Sequence, residues 1–332
     1  MKILPKFLHL ISDNQIMIVL LALILGVIFP EQLKFLNAYT TYMLTLIFLV
    51  SSFRINPGEL TSYLKDWKML SVANFVMLIF MPLAMWLPTW LFAPEWALAF
   101  LIVGAAPTGL TIALVADLFG GRQALAMLIA VTTSLLAPLT MPLLLYFVVG
   151  QSVKFPVGSM LLSLFITMVL PFFVAMGIKA KYKTFINRKD AWWREISLIL
   201  FGILVAGVTA DSVAGTAQKF NPHDLGTVLV MIAFMGGIAW FSYAITQWRT
   251  ASERVTIALC MVYMNNTVAL YIGDRFFSGQ NVVTKLIIIL TAVNLLLPPL
   301  KWAAARAIKH ENKKIKLNRS AHRVLRTKDK QS

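Results

Sequence analysis

Ten apolar runs of membrane-spanning length govern what this chain can fold into: about 15–30, 37–53, 68–92, 95–118, 122–149, 155–179, 194–212, 224–247, 252–276 and 281–305. In hydrocarbon a run of about 20 apolar residues can satisfy its backbone polar groups alone only as a helix. The expected fold is therefore an all-α polytopic membrane protein with ten transmembrane helices. Composition agrees, since 59% of residues are hydrophobic and only 13% charged, which excludes an ordinary soluble domain.

The net charge of +16 would suggest nucleic acid if it were spread over a soluble surface. Here it sorts by loop. With ten spans, 25 Lys and Arg fall on the side of the chain ends, and five (Lys34, Lys154, Lys219, Arg275 and Lys285) fall opposite. That bias supports the even count and puts both termini in the cytoplasm, in a bacterial inner (plasma) membrane. The first run follows Lys2 and Lys6 and ends at Pro30-Glu31 without a small-residue cleavage pattern, so it reads as an uncleaved span. The tail, 309–332, is basic and lacks an apolar face, and it is expected to be a mobile, disordered anchor near anionic lipid. Expected partners are a small organic anion and membrane lipid, with no nucleic acid. Cys260 is the only cysteine and the four histidines lie at ends or in loops, so neither a disulfide nor a metal site is expected.

The chain repeats itself weakly. Thr111, Ala113 and Leu114 match Thr267, Ala269 and Leu270 at an offset of 156, Asp117 matches Asp274 with one residue of drift, and Val131–Pro138 resembles Thr291–Pro298. Two halves of five spans, 1–150 and 151–308, follow. An odd number of spans per half inverts the second half relative to the first, a pattern typical of secondary transporters.

Within that repeat the fourth span is interrupted by Pro107-Thr108-Gly109 and the ninth, at the matching place, by Tyr263-Met264-Asn265-Asn266. Proline removes a backbone donor, and adjacent asparagines in mid-membrane are costly. Irregular backbone at that depth is tolerated where it is buried in protein or lines a cavity. Either break alone reads as a packed kink or interhelical glue. Together they point to a substrate site at the membrane midplane, built from Pro107, Thr108, Gly109, Thr111, Met264, Asn265, Asn266 and Thr267.

At these residues the chain resembles the bile acid:sodium symporter family and its wider superfamily with arsenite carriers. The likeness lies in AAPTG, in the 31-residue interval from Pro107 to Pro138, and in MNN, where the family has an MQN-type break. The resemblance implies that spans 4 and 9 are broken and cross in a core, that spans 1, 2, 6 and 7 form a panel, and that substrate binds between the two. It also implies oxygen-bearing sodium ligands at positions that here read Ile112, Ala113, Ala126 and Ala130, with an acidic residue at Met261. Only Asn265 keeps an amide. Hard cations need several oxygens, so sodium coupling is disfavoured, and no other cofactor is expected. Arsenite carriers place a cysteine where this chain has Thr108, which argues against thiolate chemistry.

Thr132, Thr133 and Ser134 on the fifth span, with Thr291 and Asn294 on the tenth, are candidates for a second layer around the crossing. Asp211 is the favoured residue for proton coupling, ahead of Asp117 and Asp274, which read as solvated helix-end carboxylates. The alternatives to a carrier are a membrane-embedded enzyme, a channel or a sensor. No nucleophile with a base, metal set or paired carboxylates within the spans supports an enzyme. No continuous polar stripe supports a channel, and no added soluble domain supports a sensor.

Overall fold

A computed structural model describes residues 15–55, 58, 67–109, 111–150, 155–215, 222–277 and 281–328. The basic residues Lys2, Lys6, Lys65, Lys154, Lys219 and Lys330 lie outside the described residues. Among the described residues, six helices are long and apolar enough to cross a membrane, and Pro94–Ala105 and Leu229–Ile245 are shorter apolar helices. The protein is thus an all-α membrane protein.

The helices are α1 (Gln15–Ile28), α2 (Thr40–Ser52), α3 (Leu70–Phe92), α4 (Pro94–Ala105), α5 (Ile112–Leu118) and α6 (Gln123–Val149). They continue as α7 (Val157–Lys181), α8 (Asp190–Gly215), α9 (Pro222–Ile245), α10 (Ala251–Val262), α11 (Asn266–Phe277) and α12 (Val282–Lys328). Proline shapes several of them. In α3 and α7 a π-helical turn, Val76–Phe80 or Phe165–Val169, stands just before Pro82 or Pro171, where the ring would otherwise crowd the preceding turn.

Two groups of helices pack as bodies. In the first, a panel, α8 lies along α1 and α2, and α7 leans on α2. In the second, a core, α3 pairs with α4, α5 with α6, α9 with α10 and α12, and α11 with α12. The panel holds together by close approach. A Cβ on Gly26 would stand 2.8 Å from the Ala206 carbonyl oxygen, and one on Gly207 would stand 2.7 Å from Leu36 Cβ. Gly207→Leu is therefore expected to lower the thermal midpoint of purified protein by several degrees, whereas Gly237→Leu, with open space around its Cβ, leaves it unchanged. Equal midpoints for the two variants would show that the crossing tolerates separation.

The panel also contains a buried cation. Lys179, near the end of α7 and only 5% exposed, donates from Nζ to the carbonyls of Phe53 (2.7 Å) and Ile55 (2.8 Å), just beyond the last residue of α2. At the far end of the chain, α12 runs on through Lys328. The segment after Lys309, expected to be mobile, is helical here. From His310 to Lys328 it contains no glycine or proline and has seven Lys and Arg, which are favourable inside a helix.

Candidate functional site

The two breaks meet. After α4 the chain turns extended at Ala106 and stays irregular to Gly109 before α5 begins; after α10 it does the same from Tyr263 to Asn265 before α11. Thr108 and Met264 form an antiparallel bridge, an isolated strand-like contact in an otherwise helical structure. Asn265 N–H donates to the Pro107 carbonyl (2.6 Å), and Gly109 N–H donates to the Tyr263 carbonyl (3.2 Å). Each break therefore supplies the partners that the other lost by leaving its helix, which is how unwound backbone survives at membrane depth. Gly109 suits the closeness of this crossing, because a Cβ there would stand 3.3 Å from the Tyr263 ring.

Side chains fix the crossing from several directions. The Thr108 hydroxyl, fully buried, donates to the Cys260 carbonyl (3.5 Å), and Thr108 N–H donates to Thr133 Oγ1 (3.2 Å). Thr111 and Tyr263 share a hydrogen bond between hydroxyls (3.3 Å). Asn265 Oδ1 accepts from Val268 N–H (3.3 Å) and so caps the first turn of α11.

Beside the crossing lies a cleft of about 50 Å³. Its core wall is Gly109, Thr111, Tyr263–Thr267, Leu290 and Asn294; its panel wall comes from Ile47, Phe48 and Ser51 of α2 and Ser197, Leu198 and Phe201 of α8. Ser51 and Ser197 bond each other across the panel (2.8 Å). Such a volume accepts a few water molecules and nothing much larger.

The candidates divide as follows. Gly109, Thr111, Met264, Asn265, Asn266 and Thr267 line the cleft, while Pro107 and Thr108 serve the crossing through backbone contacts. In the second layer, Thr133 reaches the crossing, but Thr132 faces Asn74 (3.1 Å) and its own helix carbonyls. Thr291 bonds back to Ile287 (2.8 Å), the usual fate of a helical hydroxyl. Ser134 is buried and does not line the cleft. Asn294 donates to Leu290 (2.8 Å) and also lines the cleft.

Of the two helix-end carboxylates, one differs from expectation. Asp117 is exposed, as a helix-end residue should be. Asp274 is not freely solvated: Asn37 Nδ2 donates both to it (3.1 Å) and to Asp211 (2.9 Å), so the two acids share one amide. Sequence reasoning passed over Asn37, Ser51 and Ser197. Each is a single polar residue near the end of an apolar run, and nothing local distinguishes it from an interface residue.

The model described as the Sodium Bile acid symporter family matches residues 41–219. Sodium/bile acid cotransporter 7 of Danio rerio is 24% identical over 251 residues, covering 72% of this chain and 75% of that protein. Its Mus musculus counterpart is 24% identical over 245 residues, 70% of this chain and 72% of that protein. The uncharacterized protein YbaS of Bacillus subtilis (strain 168) is 29% identical over 161 residues, 47% of this chain and 52% of that protein.

Proposed function

Because the chain belongs to the sodium bile acid symporter family, we propose that it is a secondary carrier, moving a small organic anion across a bacterial plasma membrane by alternating access to the cleft. The observation that carries this reading is the cleft itself, which has the crossing of two broken helices as one wall and a separate helical panel as the other. The α11 N-terminus opens onto it with Asn265, Asn266 and Thr267, a setting that favours a carboxylate or sulfonate.

The same reading takes the structure as ten spans in two inverted halves, 1–150 and 151–308, counting α4 with α5 and α10 with α11 as single broken spans. Support comes from the register of the crossing. Thr108 and Met264 are 156 residues apart, the offset of the sequence repeat, and exchanging the halves by that offset converts the bond from Asn265 to Pro107 into the bond from Gly109 to Tyr263. An antiparallel bridge has local two-fold symmetry, as an inverted repeat requires. Both termini are placed in the cytoplasm on the 25-to-5 distribution of basic residues.

Coupling to sodium is not part of this reading. The positions where the family carries sodium ligands are filled by Ile112, Ala113, Ala126, Ala130 and Met261, all at most 5% exposed and packed as apolar core. They offer no side-chain oxygen to replace a hydration shell. Uptake of organic anions into proteoliposomes, with sodium and proton gradients imposed separately, tests both points. Uptake is expected to persist when potassium replaces sodium. Loss of uptake in potassium would overturn the coupling claim and mean that backbone carbonyls hold the ion; no uptake of any anion under either gradient would overturn the carrier reading.

A further inference from the structure

Small residues stand between helices in two different ways in this protein. In the panel, Gly26 and Gly207 let helices touch. In the core, the facing sides of α9, α10 and α12 carry Gly236 and Ala239, Ala258, and Ala303, Ala304 and Ala307, at the three- and four-residue spacing of a single helix face. Those faces do not close. They leave a groove of about 380 Å³, roomy enough for a length of hydrocarbon chain, and even a Cβ on Gly236 would stand 3.6 Å from its nearest neighbour, Leu296 Cδ1. The groove opens sideways out of the bundle, since Trp240 (71% exposed) and the exposed Ala303 both line it. No Ser, Thr, Asn or charged side chain is among its lining residues.

Its depth follows from α12. Leu300 and Ala307 come six and thirteen residues after Asn294, which lines the cleft beside the crossing, so the groove runs from about 9 to about 20 Å beyond it toward Lys328. That range takes in one leaflet from acyl chain to headgroup. At the headgroup end Tyr243 forms the rim, and Arg254 is fixed to it twice: its guanidinium lies over the Tyr243 ring (3.8 Å) and its Nε donates to the Tyr243 carbonyl (3.0 Å). Arg306, stacked over Trp302 (3.6 Å), is one turn from Ala303. Among the described residues neither arginine has an ion-pair partner. The acids of this end are committed elsewhere, Glu253 to Arg122 and Glu311 to the N–H of Ala251 (2.7 Å), which leaves Asp117, exposed at the end of α5. A cation in the first turn of α10 opposes that helix's dipole, so Arg254 does not serve its own helix.

We propose that the groove between α9, α10 and α12 binds one acyl chain of an anionic phospholipid, whose phosphate meets Arg254 and Arg306. An apolar void at the edge of a bundle forfeits the dispersion contacts of its lining, and a lipid chain restores them. Basic groups between spanning helices on the cytoplasmic side suit anionic headgroups, and a guanidinium already held on an aromatic ring loses little freedom on meeting a phosphate. A soluble anion would leave the apolar groove unused, and a neutral lipid would leave the arginines unused. The site stands apart from the cleft. It takes from the carrier reading only that the Lys328 end is cytoplasmic, and its failure would leave that reading untouched.

The test titrates delipidated protein in detergent with phosphatidylglycerol or phosphatidylcholine of identical chains and counts retained lipid by native mass spectrometry. The parent is expected to hold phosphatidylglycerol about fivefold more tightly than phosphatidylcholine, the effect of one basic residue near a headgroup. Arg254→Gln is expected to remove that preference while leaving a lipid bound. Ala303→Phe, which fills the groove from its exposed side, is expected to lose retention of either lipid, and Ala307→Phe repeats the experiment one turn along if the first variant does not fold. Glycerol phosphate, the headgroup without chains, is expected not to displace the lipid. Equal retention in the parent and in a folded Phe variant would overturn the groove as the site. Equal affinity for the two lipids, or displacement by glycerol phosphate, would overturn the anionic phospholipid as its occupant. A parent that flies as a dimer and a Phe variant that flies as a monomer would assign the groove to a second copy of the chain instead.

Discussion

Asn266→Ala is expected to weaken binding of the transported anion at least about tenfold, or roughly 1.4 kcal/mol, while the thermal midpoint stays within a few degrees. The residue is 9% exposed, lines the cleft, and stands at the first position of α11, where a bound carboxylate would meet the helix N-terminus. Asn265→Ala is expected to weaken binding similarly and to lower the midpoint as well, because Asn265 Oδ1 caps α11 and loss of an N-cap costs about 1 kcal/mol. Asn294 is a poor control, since it lines the same cleft. Thr132→Val is better: its hydroxyl faces Asn74, away from the cleft, and binding should be unaltered. The anion used would be the one that proteoliposome uptake selects. Unaltered affinity in both asparagine variants alongside lowered midpoints would reduce the crossing to interhelical glue.

The second large effect is expected at Lys179. Lys179→Met removes a charged donor from the Phe53 and Ile55 carbonyls and leaves both buried beside a side chain that cannot hydrogen-bond them. Hydrogen bonds to charged groups contribute about 1.5–3 kcal/mol each, so a loss of about 3 kcal/mol and a much lower thermal midpoint are expected, with little folded protein recovered. The methylene stem is conserved in volume, which separates this from a packing defect. A midpoint equal to that of the parent would mean that water replaces the ammonium at the end of α2.

Part of this architecture was legible in the sequence because it breaks a local rule. Proline and paired asparagines conflict with a spanning helix, and their common offset of 156 anticipated the register at which Thr108 meets Met264. What stayed hidden was direction. Thr132 and Thr133 are neighbours, yet one faces Asn74 and the other the crossing, because successive helical residues point about 100° apart. Asn37 was hidden for another reason. Its two partners lie 174 and 237 residues away, and no pattern in the intervening chain connects them.

The exchange of backbone hydrogen bonds at the crossing bears on how the chain is made. Synthesis delivers Pro107 and Gly109 to the bilayer long before Tyr263 and Asn265 exist, so the early half enters with a carbonyl and an N–H whose native partners have not been translated. Until then those groups must be served by water or by the insertion machinery. The final docking is a contact of very high sequence separation, slow to find and rewarded only once both halves are in place. Biogenesis of this protein is therefore most vulnerable in the interval between the two breaks, and a ribosome that stalls there leaves behind a segment that cannot complete its own backbone.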